Sequence, residues 1–123
     1  MKINYGQNVY GKEEIHAVVS KLKKTTQMGD SVFNFEKRVC KMFKKKHSLM
    51  VNSGSSALIL AIKALDIKKN SEVILPCLNF GTALSSVILC GLKPVLVDVD
   101  VRTLQIQSEN IEKKINKKTK LLL

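Results

Sequence analysis

The spacing of apolar residues changes character near residue 49. Before it, Ile15, Val18, Val19 and Leu22 follow the i, i+3, i+4, i+7 pattern and predict a helix over residues 13–24. Glu13 and Glu14 in its first turn and Lys21, Lys23 and Lys24 in its last suit the helix dipole. Val32, Phe35, Val39, Met42 and Phe43 predict a second helix, capped by Asp30 or Ser31 and reaching about residue 45. Both read as core-facing helices. Residues 1–11, with Gly6 and Gly11 and little periodicity, read as an extended arm, and residues 25–30 as a loop.

From residue 49 onward, short apolar runs alternate with helical segments. Leu49-Met50-Val51 reads as a strand leading through Asn52-Ser53-Gly54-Ser55-Ser56 into an apolar helix over residues 56–65. That helix has one charge, Lys63, which predicts that protein nearly surrounds it. Glu72-Val73-Ile74-Leu75 is a short strand stopped by Pro76, residues 82–90 form an apolar helix, and Gly91 is its C′ residue. A third strand covers residues 94–99, and its run Val95-Leu96-Val97 predicts burial on both faces. Ser108 caps a short helix over residues 109–115, and Lys120-Leu121-Leu122-Leu123 begins a fourth strand. Each connection is long enough for a crossover, so the expected fold is α/β: a mostly parallel sheet with flanking helices. The expected organisation is an N-terminal arm and helices over residues 1–48, then βα units of the sheet over residues 49–123. Because the last residues read as the middle of a buried strand, the chain is expected to be truncated.

Composition narrows the functional classes. Hydrophobic residues make up 45% of the 123 residues, enough for a core and too many for a disordered chain. The net charge of +11 raises the question of nucleic acid, but every basic residue except Arg38 and Arg102 is Lys, and these are spread along the chain. Arg is the residue that reads phosphates and bases bidentately, so the excess reads as a solvated Lys-rich surface, with no nucleic-acid partner. No run is apolar enough to span a bilayer and the N-terminus lacks a signal-peptide core, so no membrane partner and a cytoplasmic location are expected. Cys40, Cys77 and Cys90 form no CxxC pair and read as reduced, mostly buried thiols; His16 and His47 are isolated, and no metal site is legible.

The stretch at residues 51–56 carries the chemistry. Gly54 permits unusual backbone conformations and close approach, and Ser55 or Ser56 is expected to cap the helix. The first amides of a helix lack internal partners and sit at its positive end, where a phosphate could accept from them and from a serine hydroxyl. The stretch is equally readable as an ordinary strand-to-helix turn. GxGxxG after a strand, GxxxxGK[ST] and GxSxG are all absent, which leaves neither a dinucleotide fold, a P-loop nor a hydrolase elbow.

Taken together, these residues resemble the N-terminal part of the DegT/DnrJ/StrS sugar aminotransferases, pyridoxal-phosphate (PLP) enzymes of the aspartate-aminotransferase fold. The resemblance runs through Tyr5-Gly6, Gln27-Met28-Gly29, Phe35-Glu36, Val51 to Leu58, Ser71 to Pro76, Asn79-Phe80, Gly91 to Val95, Val97 to Asp100, Thr103-Leu104 and Lys118 to Lys120. It implies the N-terminal part of a fold-type-I large domain. It also implies that Gly54, Ser55 and Ser56 hold the phosphate of PLP, or of pyridoxamine phosphate, and that Phe80 stacks on the pyridine ring. The lesser alternative for Phe80 is a place in the core. Cys77 stands where the family has a small residue and is assigned no chemistry, while Asp98 and Asp100 read as turn formers. The family's Schiff-base Lys and the Asp that pairs with the pyridinium come beyond residue 123, so no catalytic residue is assigned and these residues alone are expected to be inactive. The implied reaction transfers an amino group, from a donor such as glutamate, to a nucleotide-linked keto-sugar in a homodimer. The alternatives are a pyridoxamine-phosphate-dependent sugar dehydrase and a non-catalytic remnant or binding module.

Overall fold

In the computed structural model, residues 6–24, 26–27 and 29–123 are described. The start of the expected arm with Tyr5, and Thr25 and Met28 of the expected loop, lie outside the described residues. The chain divides into two compact units, Met1–Met50 and Val51–Leu123.

The first unit contains α1 (Lys12–Lys24) and α2 (Asp30–Met42). Gly29, rather than Asp30 or Ser31, holds the N-cap position of α2, and it supplies no side-chain bond. Neither helix buries a residue, against the expectation of core-facing helices. Their amphipathic stripes meet no sheet within this unit. Lys37 covers the ring of Phe33 at 4.2 Å instead. The strand expected at residues 49–51 does not form. Met50 N–H, which a ladder would need, donates instead to Glu36 Oε1 of α2 at 2.7 Å, and Ser48 Oγ donates to the Glu36 carbonyl at 2.8 Å.

The second unit holds α3 (Gly54–Ala64), β1 (Glu72–Pro76), α4 (Gly81–Leu89), β2 (Lys93–Val97), α5 (Ser108–Glu112) and β3 (Thr119–Leu122). The three strands are parallel in the order β2-β1-β3. Glu72 aligns with Lys93 and Pro76 with Val97; on the other side a register shift falls between Glu72 and Val73, which pairs with Leu121. Asn116 Nδ2 donates to Glu72 Oε2 at 2.7 Å beside that shift.

Burial on both faces belongs to β1 and not, as expected, to β2. Val73, Ile74 and Leu75 of the central strand are at most 1% exposed, whereas Leu96 on the edge strand is half exposed. A central strand has neighbours along both edges and side chains over both faces; an edge strand loses part of that cover. The core joins Ile62 of α3, Val73 of β1, Val87 of α4 and Leu92 before β2. Ile62 is the only buried residue of α3, so that apolar helix is not surrounded within this chain. Pro76 does not end the pairing at residue 75: it closes β1, and Cys77 N–H resumes with a bond to Val97 O at 2.9 Å. Gly91 adopts φ +73°, the left-handed conformation expected of a C′ residue. Gln107, not Ser108, precedes the first residue of α5. The three cysteines are free, but none is buried as expected: Cys77 is exposed, and Cys40 and Cys90 are half-buried.

Candidate functional site

The turn before α3 is built differently from the sequence expectation. Ser53 is the cap: its hydroxyl oxygen accepts Ser56 N–H at 3.1 Å, and its carbonyl accepts Ala57 N–H at 3.1 Å. The hydroxyl of Ser53 also donates to Ser56 Oγ at 3.0 Å. Gly54 and Ser55 therefore lie inside the first turn rather than before it. The expectation that Ser55 or Ser56 caps the helix is corrected. The Ser-x-x-Ser spacing of 53 and 56 allows the contact between the two hydroxyls but does not by itself single out Ser53 as the cap.

This arrangement sorts the anion-binding groups. Among the described residues, the Gly54 and Ser55 amides and the Ser55 hydroxyl make no hydrogen bond, while the Ser56 amide is spent on the cap. The Ser56 hydroxyl accepts from Ser53 and keeps its own proton to donate. Gly54 has no positive φ, and a Cβ built on it would meet nothing within 4 Å. Its value is thus the open space over its amide, not a left-handed conformation. Two free amides, two donor hydroxyls and the positive end of an 11-residue helix suit a phosphate dianion. A depression of about 340 Å³ lined by Val51, Asn52, Ser56, Ile59 and Leu60 adjoins the turn.

Topology brings this turn toward the functional end of the sheet. α4 leaves the carboxyl end of β1 and returns the chain to the start of β2, so it runs against the strands. α3 delivers the chain to the start of β1, so its own start faces the same end as the start of α4. Cys90, at the end of α4, lies with its thiol 3.8 Å from the Ile59 carbonyl on α3, as expected of helices running side by side. Ligands of parallel α/β sheets bind outside the carboxyl ends of strands.

Phe80 occupies the loop at that end and is the N-cap residue of α4. It is 78% exposed, so it takes no part in this chain's core. Its N–H donates to Asn79 Oδ1 at 2.7 Å. On the same loop, Cys77 Sγ donates at 3.2 Å to Oδ1 of Asp98, which lies on the loop after β2, and the same oxygen accepts Val99 N–H at 2.8 Å. The thiol bond and the Val99 amide hold the Asp98 carboxyl below its ordinary pKa, and the bond to Asp98 pushes the Cys77 thiol up. Asp100 accepts Arg102 N–H and Thr103 N–H at 3.0 and 2.9 Å, and Gln107 Nε2 at 3.1 Å, which makes it the turn former the sequence predicts. Sequence reasoning missed the Cys77–Asp98 bond because the two residues lie 21 positions apart and meet only through the β1–β2 register. Among the described residues no group of three or more His, Cys, Asp or Glu could hold a metal, and no helix is long and apolar enough to cross a membrane.

Toward its carboxyl end the parallel α/β sheet thus presents an unsatisfied small-residue helix start and an exposed aromatic, groups that could accept a phosphate-bearing ligand. The chain belongs to the DegT/DnrJ/EryC1/StrS aminotransferase family, whose sequence model matches residues 8–123. It is 35% identical to GDP-perosamine synthase of Vibrio cholerae over 77% of its own length and 26% of that protein. The solved structure of E. coli GDP-4-keto-6-deoxy-D-mannose-3-dehydratase with bound hydrated PLP superposes with a TM-score of 0.88 at 31% identity, over 99% of this chain and 34% of that one. A sugar aminotransferase from Streptococcus pneumoniae in its pyridoxamine-phosphate form gives a TM-score of 0.88 at 25% identity, over 99% of this chain and 31% of that one. The chain thus spans between about a quarter and a third of the length of these relatives.

Proposed function

We propose that this chain is the phosphate-holding N-terminal part of a PLP-dependent aminotransferase acting on nucleotide-linked keto-sugars. The observation that carries the reading is the pair of unpartnered amides at Gly54 and Ser55, with a free Ser55 hydroxyl, in a chain of the aminotransferase family. When bound, the cofactor supplies an aromatic ring that withdraws electrons from the amino-bearing carbon. Gly54 and Ser55 hold its phosphate through backbone N–H groups, and Ser55 and Ser56 add hydroxyl donors. Phe80 covers one face of the ring and excludes water from it. The sugar substrate carries a nucleoside diphosphate, a donor such as glutamate supplies nitrogen, and the active protein is a cytoplasmic homodimer. Residues 1–48 serve as arm and helices, and residues 49–123 as the βα units of the large domain. Residues 1–123 alone carry no transamination, because none of their lysines matches the family's catalytic Lys.

A second reading, a pyridoxamine-phosphate-dependent sugar dehydratase, is supported by the similarity to the E. coli 3-dehydratase. Both readings use the same phosphate turn.

The test uses pyridoxamine 5′-phosphate, which cannot condense with surface lysines, against pyridoxamine, which lacks the phosphate. Calorimetric titration of the chain is expected to show binding only of the phosphorylated compound. Phe80→Ala should weaken that binding while changing stability by less than about 0.5 kcal/mol, as for an exposed position. Equal affinity for the two compounds refutes the assignment. A loss of about 3–5 kcal/mol in stability from Phe80→Ala would instead mark a core residue.

A further inference from the structure

The loop of residues 77–80 is held at its two ends and by one side chain. At its start, Cys77 N–H adds a bond to the β1–β2 ladder beyond Pro76, at 2.9 Å to Val97 O. At its end, the Phe80 carbonyl accepts Ala83 N–H at 3.0 Å in the first turn of α4. Between these points Leu78, Asn79 and Phe80 are exposed, so packing does not fix the aromatic ring. The bond from Asn79 Oδ1 to Phe80 N–H lies within the loop. Among the described residues, the side-chain bond that leaves the loop is Cys77 Sγ to Asp98 Oδ1, at 3.2 Å. Asp98 directly follows β2 and is itself fixed by Val99 N–H on the same oxygen. The bond therefore ties together the loops leaving the carboxyl ends of two neighbouring parallel strands.

We propose that Cys77 and Asp98 form a positioning clasp that orders the Phe80 loop and presents its ring as a preformed face for a planar ligand. The inference rests on the reading of Phe80 as the ring-stacking residue. Neither Cys77 nor Asp98 is given contact with reacting atoms; they act through Phe80. A thiol is a weak donor, and a carboxylate is the acceptor that strengthens the bond most. Both partners are exposed, so the bond adds little to the global fold. Its effect falls on local order, because an exposed loop without apolar anchors opens at little cost. Ordering the loop before binding removes an ordering cost from binding.

The sequence contains no Trp, so Phe80→Trp installs a single indole, excited selectively over the two tyrosines, at an exposed position. In that background, time-resolved anisotropy reads nanosecond loop motion. Cys77→Ala and Asp98→Ala are expected to enlarge the fast-decaying share of the anisotropy. Cys77→Ser is expected to restore it, since a hydroxyl can donate to the same carboxylate. Pyridoxamine 5′-phosphate, detected by indole quenching, should bind about 2- to 10-fold more weakly to the two alanine variants, the range one net hydrogen bond supplies. Unchanged anisotropy in both alanine variants overturns the proposal. So does a fall in the urea midpoint of Cys77→Ala at neutral pH larger than an ordinary exposed substitution causes, which would show that the pair holds the fold rather than the loop. Absent quenching in the Phe80→Trp parent, with the anisotropy response intact, refutes the cofactor reading of Phe80 while supporting the clasp.

Discussion

The three serines of the α3 turn have separable jobs, and single substitutions distinguish them. Ser53→Ala removes the acceptor of Ser56 N–H and the donor to Ser56 Oγ, but no group left free for a ligand. Loss of an N-cap costs about 0.5–2 kcal/mol. Both bonds are solvent-exposed, so water replaces them in part, and the lower half of that range, about 0.5–1 kcal/mol, applies. For a unit the size of Val51–Leu123 this corresponds to a fall in Tm of roughly 2–8 °C. Ser55→Ala removes a hydroxyl that makes no bond within the described residues, so stability should stay within about 0.5 kcal/mol of the parent value. It should instead weaken pyridoxamine 5′-phosphate, because one hydrogen bond to a charged phosphate contributes about 1.5–3 kcal/mol, a rise in Kd of at least roughly 10-fold. Ser56→Ala should show a smaller amount of both effects, since its hydroxyl accepts from Ser53 and can donate to phosphate. Thermal denaturation by circular dichroism and calorimetric titration on the same preparations give the two numbers. If Ser55→Ala lowers Tm as far as Ser53→Ala and leaves affinity unchanged, Ser55 is structural and the division of labour is wrong.

Two further outcomes are expected. Gly91→Ala forces a β-carbon onto a residue at φ +73°, and should destabilise by about 1–2 kcal/mol in urea titration; a neutral result would mean the α4 end relaxes at no cost. Stability should also depend on pH at both ends of the range. Asp98, Asp100 and Glu14 have carboxyls held below their ordinary pKa, each chiefly by a hydrogen bond, from the Cys77 thiol, Thr103 N–H and Gly11 N–H respectively. Their contribution is present above the unfolded carboxylate range near pH 4 and is lost as pH falls through the lower folded values. Cys77 has the opposite sign: its raised pKa contributes below the unfolded thiol value near pH 8.5 and fades as pH rises through the folded one. Urea midpoints followed across pH in Cys77→Ser should lose the alkaline limb and keep the acidic one. An alkaline limb of the same size in that variant would contradict the thiol–carboxylate bond.

Local patterns determined most of the secondary structure. The periodicity of Ile15, Val18, Val19 and Leu22 located α1, and the apolar runs at Val73 and Val95 located β1 and β2, because propensity and spacing act over a few residues. Gly91 was legible as a helix end for the same reason: the left-handed conformation it adopts suits a residue without a β-carbon. The small-residue turn at residues 53–56 and the aromatic at Phe80 were also readable, as was the family they resemble. What the sequence could not decide was which of several equivalent local choices the fold would adopt. Three serines within four positions can each cap a helix, and only the observed start at Gly54 assigns the cap to Ser53 and leaves the Ser55 hydroxyl free. The apolar runs of β1 and β2 look alike, yet strand order puts one in the centre and the other at an edge, and burial follows strand order. Leu49-Met50-Val51 has a strand's composition but no partner strand among the described residues, and a strand exists only where a ladder pairs it. The Cys77–Asp98 bond depends on the register that sets Pro76 beside Val97, a relation between distant segments that no local pattern encodes.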